Sequence, residues 1–218
     1  MCGRYTQTHS GADLAETFQL TTEPEPPPRY NIAPSQPVSA IIAGREYRIF
    51  QWGLVPSWAK DYKIGYRLIN ARSETAAEKP SFRAAFKRRR CLIPADGFYK
   101  WQRTDSNKKK QPFYFHFKER ALFAFAGLWE QWESGDGSYL ETCTILTTEP
   151  NELMEPIHNR MPVIIPETDY DRWLTAAPRQ VQGLMKPYNA DDMEAYPVST
   201  LVNSPKNEVP DCIEPLES

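Results

Sequence analysis

The residue with the most distinctive chemistry is the second one. The chain opens Met1-Cys2-Gly3-Arg4-Tyr5, and aminopeptidases that trim the initiator methionine require a small second residue, which Cys satisfies. Removal of Met1 would leave Cys2 with a free α-amine beside its own thiol. Such a 1,2-aminothiol condenses with an aldehyde through the amine, and the thiol then closes a five-membered thiazolidine. An α-amine with a pKa near 8 is roughly 10% free base at pH 7, against under ~0.1% for an ordinary lysine. The alternative is that Cys2 is simply a small residue that happens to come second.

Two further stretches are more polar than their surroundings. In Leu68-Ile-Asn70-Ala-Arg72-Ser-Glu74 an amide and a guanidinium stand two apart in an extended segment, hence on one face. Asn70 can fix a hydroxyl or carbonyl and Arg72 can clamp a phosphate; an Asn turn beside a surface Arg is the alternative. In Pro156-Ile-His158-Asn-Arg160-Met-Pro162 a histidine, able to act as acid or base near neutrality, precedes an arginine in a Pro-bracketed loop. A structural hydrogen-bonding role for His158 competes with that reading. His9 and His116 have no polar company and read as surface or strand residues.

Trp52 and Trp58 bracket Gly53-Leu-Val-Pro-Ser57. Trp52, on a strand, belongs to the core; Trp58, in a Gly/Pro loop, is the candidate for stacking on an unpaired base. The runs Lys87–Arg90 and Lys108–Lys110 look like nucleic-acid patches, but a helix C-terminus and a hairpin tip are the simpler explanation. Asp96-Gly97 reads as a tight turn. Lys100 is a possible nucleophile, with a solvated strand lysine as its plainer alternative.

These residues need elements to hold them. The 218-residue chain is long enough for one domain with a proper core. It has no apolar run of membrane-span length and no signal-peptide pattern at its start. Cys2, Cys91, Cys143 and Cys212 lie far apart with no C-x-x-C pair, which argues against a zinc site or a disulfide framework and fits a reducing, cytoplasmic setting. No metal and no cofactor is expected. The formal net charge of −2 leaves nucleic-acid binding to a local patch. Twenty prolines starve helix interiors and central strands, which implies short elements joined by ordered loops.

Ser10-Gly-Ala-Asp13 predicts a capped helix with Ala12, Leu14, Ala15 and Phe18 on its apolar face. Prolines 24, 26, 27 and 28 end it. Strands are expected over Val38–Ala43, Tyr47–Gly53, Cys91–Ile93, Gly97–Gln102, Phe113–Phe117, Leu122–Trp129 and Tyr139–Leu146. Leu68–Ser73 is a short extended piece, and Thr104–Lys110 and Ser134–Ser138 are hairpin loops. Helices are expected at Pro80–Arg89, Asp169–Thr175 and Arg179–Met185, with a last strand near Tyr196–Thr200. The polar stretch 204–218 reads as a loosely held tail. The class is α+β: a single domain with a β-rich, partly closed antiparallel barrel-like core and peripheral helices.

Six segments, taken together, resemble the SRAP (SOS response-associated peptidase) family. They are Met1-Cys-Gly-Arg4, Arg29-Tyr-Asn-Ile-Ala-Pro34, Trp52-Gly-Leu-Val-Pro-Ser-Trp58, Ile69-Asn-Ala-Arg-Ser-Glu74, Cys91-Leu-Ile-Pro-Ala-Asp-Gly-Phe-Tyr99 and His158-Asn-Arg-Met-Pro162. Any one is short, but six in family order are specific. The resemblance implies a protein that binds single-stranded DNA in a positive groove and crosslinks to abasic sites through the processed amino-terminal Cys. It implies that Asn70 holds the terminus or the sugar and that His158 assists proton transfer. Arg4, Arg72 and Arg160 would neutralise phosphates, with Trp58 and Thr147 lining the strand path. It also implies self-removal of Met1, which a cellular aminopeptidase could equally perform, and shielding of the lesion in the DNA damage response. The protein is expected to be a monomer in the cytoplasm, nucleoid-associated when bound to DNA.

The chain departs from the family at one position, where Lys100 stands in place of the usual glutamate after Asp-Gly-Phe-Tyr. A charged lysine there would depress the Cys2 amine and thiol pKa values, and steps needing a carboxylate, such as Met1 self-removal or crosslink reversal, would be impaired. Two other readings compete. Glutamine amidotransferase domains also begin Met-Cys-Gly, but their Asn-Gly-Glu, Asn-His and Arg-Gly-Pro-Asp segments are missing here. A non-catalytic reader of modified DNA bases would bind DNA without any covalent step.

Overall fold

The computed structural model describes residues 2–102 and 110–216. Met1 and all of the expected Thr104–Lys110 loop except Lys110 lie outside the described residues. The strands are β1 (Tyr5–Gln7), β2 (Arg29–Ile32), β3 (Pro37–Ile42), β4 (Glu46–Trp52), β5 (Asn70–Arg72), β6 (Arg90–Ala95) and β7 (Gly97–Gln102). They continue with β8 (Gln111–Phe117), β9 (Phe123–Glu133), β10 (Tyr139–Thr148), β11 (Met161–Pro162), β12 (Ile164–Ile165) and β13 (Met193–Pro197). The α-helices are α1 (Gly11–Phe18), α2 (Arg83–Arg88), α3 (Tyr170–Thr175) and α4 (Pro178–Val181).

Strands β10, β4, β3, β6 and β9 pair in a ring that closes when β9 pairs back onto β10. The second sheet is open, in the order β13-β8-β7-β1-β2. The core is therefore a closed barrel beside an open sheet. It is not antiparallel throughout, since β10 runs parallel to both β4 and β5. The period-two alternation of β6 and β9 divides the interior. Leu92, Ala124, Ala126 and Leu128 face a core shared with Leu14, Phe18, Phe86 and Trp173 of the helices. Cys91, Ile93, Phe123 and Phe125 face a second core shared with Cys2, Tyr5, Phe98 and Phe115 of the open sheet. The candidate nucleophile thus belongs to the layer between barrel and sheet.

Helix α1 has the expected cap, with the Ser10 hydroxyl accepting from the Asp13 backbone N–H and the Asp13 side chain returning to Ser10. Its buried face is narrower than expected: Leu14 and Phe18 are buried and Ala12 is exposed. Helix α2 is shorter than the Pro80–Arg89 estimate, and the Arg179–Met185 helix divides into α4 and a 3₁₀ turn over Gln182–Leu184. The last strand begins three residues early, at Met193, and Thr200 starts a 3₁₀ turn. Strands β1 and β2 went unforeseen because they are short: β1 is three residues long, and β2, although it alternates polar and apolar residues, is four residues directly after a proline run. The basic run at the end of α2 has structural work: Arg89 pairs with Glu130 at 2.6 Å, and buried Arg90 donates to the carbonyls of Phe86, Trp173 and Ala176.

Residues 204–216 are not loosely held. Glu208 accepts from the backbone N–H groups of Tyr30 and Asn31 and pairs with Arg29. The Asn31 amide donates to the carbonyls of Val202, Ser204 and Asn207, and Cys212 is buried. Polar composition here reflects hydrogen bonds to β2, which no periodicity in the tail itself reports. No helix among the described residues is long and apolar enough to cross a membrane.

Candidate active site

The site forms where the open sheet meets one end of β10. On the sheet side, β1 pairs with β7 in the register Tyr5↔Phe98 and Thr6↔Gly97, and the Tyr99 N–H donates to the Arg4 carbonyl at 3.0 Å. Carried back two residues, this register sets Gly3 across from Lys100, immediately beside Cys2. Asp96 fixes it from the other end. Its carboxylate takes the Thr6 hydroxyl, the Thr8 backbone N–H at 2.5 Å and the Thr8 hydroxyl at 2.6 Å. Asp96-Gly97 is therefore more than a tight turn, because it ties the amino-terminal strand to β7.

Cys2 and Lys100 are both buried, at 0% and 1% exposure. Lys100 is thus not a solvated strand lysine. Burial lowers its pKa from the ordinary range, opposed by Cys2 and assisted by Arg160. For the Cys2 thiol burial is the largest influence and raises the pKa, while Lys100 works in the opposite direction. The expected depression of the thiol by a lysine therefore contributes but does not win, because loss of hydration outweighs one neighbouring cation.

On the barrel side, β5 lies parallel to β10 with Asn70 opposite Ile145 and Arg72 opposite Thr147. Strand β11 covers the other side of β10, pairing Pro162 with Thr147. Buried Thr147 consequently sits between the two polar motifs found in the sequence. The Asn70 amide donates to the carbonyls of Ile69 and Ile145 at 2.9 and 3.4 Å, whereas its buried Oδ1 has no partner. An oriented amide with an unused acceptor is suited to a donor that arrives with substrate or with a freed amino terminus. Cys2 shares the core cluster of Ile145 and Met154, and the Met154 carbonyl accepts the His158 N–H at 2.9 Å. Gln102 at the end of β7 reaches the Pro156 carbonyl at 3.4 Å, which links Lys100's strand to the His158 loop.

His158 is half-buried, and its Nδ1 accepts the Arg160 backbone N–H at 3.0 Å. In the neutral tautomer that accepts this bond, the proton is on Nε2. The same Nδ1 lies 3.1 Å from the Arg160 carbonyl, so the loop offers a hydrogen-bond partner to either state of that nitrogen. Arg160 makes a two-pronged pair with Glu74, at 2.5 and 2.9 Å, and also donates to the Thr147 carbonyl at 2.6 Å. Arg72 is exposed on the same strand pair.

Arg4 is placed differently. Its guanidinium donates to Asn31 at 2.7 Å and to the carbonyls of Val202 and Asn203 at 2.6 and 3.2 Å. It also lies over the Trp101 ring, 6.0 Å from the centroid. In this arrangement it clasps the carboxy-terminal segment. Trp58 is 58% exposed and hydrogen-bonds only weakly, at 3.4 Å, to the Pro80 carbonyl. The ends of its loop are pinned by Gly53 and Gly65, whose facing backbones would leave a Cβ on either only 2.7 or 2.6 Å from the other's carbonyl oxygen.

Sequence reasoning gave no role to Glu74, although it stands two residues after Arg72 in a quoted motif. It also passed over Tyr62 and Tyr66, exposed residues four and eight positions after Trp58 whose rings are 6.3 Å apart. Their i, i+4 spacing among lysines was the available signal. His116, expected as a surface or strand residue, is a buried member of β8 stacked on Tyr114.

Glu74 leads to a prediction. Arg160 holds its carboxyl below the usual carboxylate range, so the pair persists through neutral and mildly acidic pH. The stability it adds is present above the unfolded carboxylate pKa and disappears as pH falls through the lowered folded value. Glu74 is half-exposed, which limits that stability to about 1 kcal/mol or less. Its larger effect is competition with any anion for Arg160. Glu74→Gln should tighten binding of a polyanion such as an oligonucleotide about two- to five-fold at low salt, with the gain shrinking as salt rises. Fluorescence anisotropy titrations at two salt concentrations measure this.

Comparison with known proteins agrees with the family resemblance. The family model described as SOS response associated peptidase (SRAP) matches residues 1–205. The chain belongs to the SRAP family. The abasic site processing protein YoqW of Bacillus subtilis is 52% identical over 223 residues, covering 98% of this chain and 99% of YoqW. The abasic site processing protein HMCES of Rattus norvegicus is 33% identical over 197 residues, covering 77% of this chain and 56% of HMCES. Among solved structures, a Bacteroides thetaiotaomicron protein superposes with a TM-score of 0.90 at 26% identity over 99% of this chain and all of its own. A Bordetella bronchiseptica protein gives 0.80 at 28% identity, over 91% of this SRAP chain and all of its own.

Proposed function

We propose that this SRAP protein processes abasic sites by binding single-stranded DNA that carries them and trapping the ring-opened sugar aldehyde as a thiazolidine on Cys2. The observation that carries the reading is buried Cys2 set beside buried Lys100, with Arg160 close enough to act on Lys100. Its support from relatives is that YoqW and HMCES are named abasic site processing proteins.

Once Met1 is gone, the Cys2 amine attacks the aldehyde carbon and water leaves, giving an imine. Sγ then adds to the imine carbon while the thiol proton passes to nitrogen. Fixing amine, thiol and aldehyde in one buried place makes ring closure intramolecular, which favours it strongly over attack by a free thiol. Asn70 orients the terminus or sugar through its unused acceptor, and His158 moves protons during ring opening and loss of water. Arg72 and Arg160 face the phosphates, Thr147 lines the path, and Arg4 joins them only by sharing its present carbonyl partners. An abasic nucleotide has little stacking to lose when it enters the site.

In this reading the protein is a monomeric single domain in the cytoplasm, on the nucleoid when bound to DNA. Met1 is removed by the protein itself or by a cellular aminopeptidase, and steps that need a carboxylate at position 100 run slowly. Mixing Met1-free protein with single-stranded DNA bearing one abasic site, followed by a denaturing gel and intact-mass spectrum, tests the proposal. A heat-stable adduct lighter by one water than the summed masses supports it; the absence of any covalent species sinks it.

Trp58 supplies an independent check on strand binding. Stacking of a base on an aromatic ring contributes about 1–3 kcal/mol, so Trp58→Ala should weaken binding of an undamaged single strand by roughly 5- to 100-fold. Because the ring is exposed, thermal unfolding should move little, and anisotropy beside a melting curve separates the two effects.

A further inference from the structure

We infer that Lys100 is itself a nucleophile in the trapping reaction, forming the first imine with the sugar aldehyde and passing it to the Cys2 amine. The inference rests on the reading of the protein as an aldehyde trap. It starts from placement. Lys100 lies on the same face of β7 as buried Phe98, it is 1% exposed, and the β1–β7 register brings it beside the amino terminus. A lysine stripped of water and set near another cation, here Arg160, is the kind that carries a larger free-amine fraction; both influences act on this one, and burial outweighs the opposing pull of Cys2. In a site whose substrate is an aldehyde, a buried primary amine next to the final acceptor has a direct chemical use.

The steps balance without any added reagent. Lys100 Nζ adds to the aldehyde carbon, and the carbinolamine loses water to give an iminium. The Cys2 α-amine then adds to that carbon, the Nζ–carbon bond breaks, and Lys100 leaves with the bonding pair and takes up the proton released by the α-amine. Sγ of Cys2 closes the ring on the new imine, its proton passing to nitrogen. Lys100 is regenerated, and the product is the same thiazolidine. An iminium is a better electrophile than the aldehyde, so the relay shortens the slow step.

The experiment is a time-resolved borohydride quench of the Met1-free wild-type chain on abasic single-stranded DNA, with tryptic mapping of the reduced sugar adduct. The expected result is adduct on Lys100 at the earliest times, declining as the irreversible-on-heating product on Cys2 grows. Lys100→Arg and Lys100→Met should slow the appearance of that product about ten-fold or more. Melting curves identify a variant that has failed to fold, and the wild-type mapping does not depend on either variant. Adduct confined to the amino-terminal residue at every time, with the Cys2 product forming normally, overturns the relay alone. No covalent species at either residue instead overturns the aldehyde-trap reading.

Discussion

Cys2→Ala should abolish the heat-stable adduct on abasic single-stranded DNA, to below about 1% of wild type, while leaving noncovalent binding within about two-fold. Alanine keeps an α-amine after Met1 removal, so an imine can still form at either position 2 or Lys100. It lacks the sulfur that closes the ring, and an open imine hydrolyses under denaturing conditions. The substitution therefore separates ring closure from condensation: the stable band disappears, whereas a borohydride-reduced band survives. Cys2 is fully buried in the layer between sheet and barrel, and deletion of one sulfur there should cost about 1 kcal/mol of stability. That is too little to unfold the protein, so loss of the band reports chemistry. Equal binding with no covalent species in the wild type as well would favour a reader of modified DNA, and glutamine hydrolysis dependent on Cys2 would restore the amidohydrolase reading.

The second large effect is structural and reaches the site from a distance. Asp96→Ala should destabilise the fold by about 2–4 kcal/mol and slow crosslinking more than it weakens DNA binding. The Asp96 carboxylate is buried and accepts from Thr6, from the Thr8 backbone N–H and from the Thr8 hydroxyl. Charge-assisted hydrogen bonds of this kind contribute about 1.5–3 kcal/mol each, and removing the acceptor strands donors in the interior. For a chain of this size the loss corresponds to roughly 5–12 °C in Tm. The bonds hold β1 against β7, and that register is what puts the amino terminus beside Lys100. Loosening it should lower the crosslinking rate, while Trp58, Arg72 and Arg160 on the barrel side keep their hold on the strand. Parallel melting curves, anisotropy and adduct time courses distinguish this from simple unfolding, which would lower all three together.

Glu74 and Arg4 show why the candidate site was only partly legible. Arg4, Arg72 and Arg160 are all implied as phosphate ligands, yet Arg160 is engaged by Glu74 and Arg4 by the carboxy-terminal segment. An arginine's type announces that it will bind an anion or a carbonyl; which one depends on residues 86 and 198 positions away. The tail misled for the same reason. Its prolines and polar residues look unanchored until Asn31 and Glu208 are seen to bind across the sheet.

The sequence by itself determined the chemistry available: a Cys in second position, an amide and guanidinium sharing a strand face, a His-Arg loop, and the strands with clear alternation. Those properties are local, set by residue type and by the two-residue and 3.6-residue periods of the backbone. Only the tertiary structure decided that the motifs meet. β10 pairs with β5 on one side and β11 on the other, which joins segments 70–72, 147 and 160–162. The open sheet brings Lys100 out of water and sets it near Cys2 and Arg160. Whether a lysine is a solvated charge or a buried amine depends on dehydration by distant parts of the chain, and no local pattern encodes that.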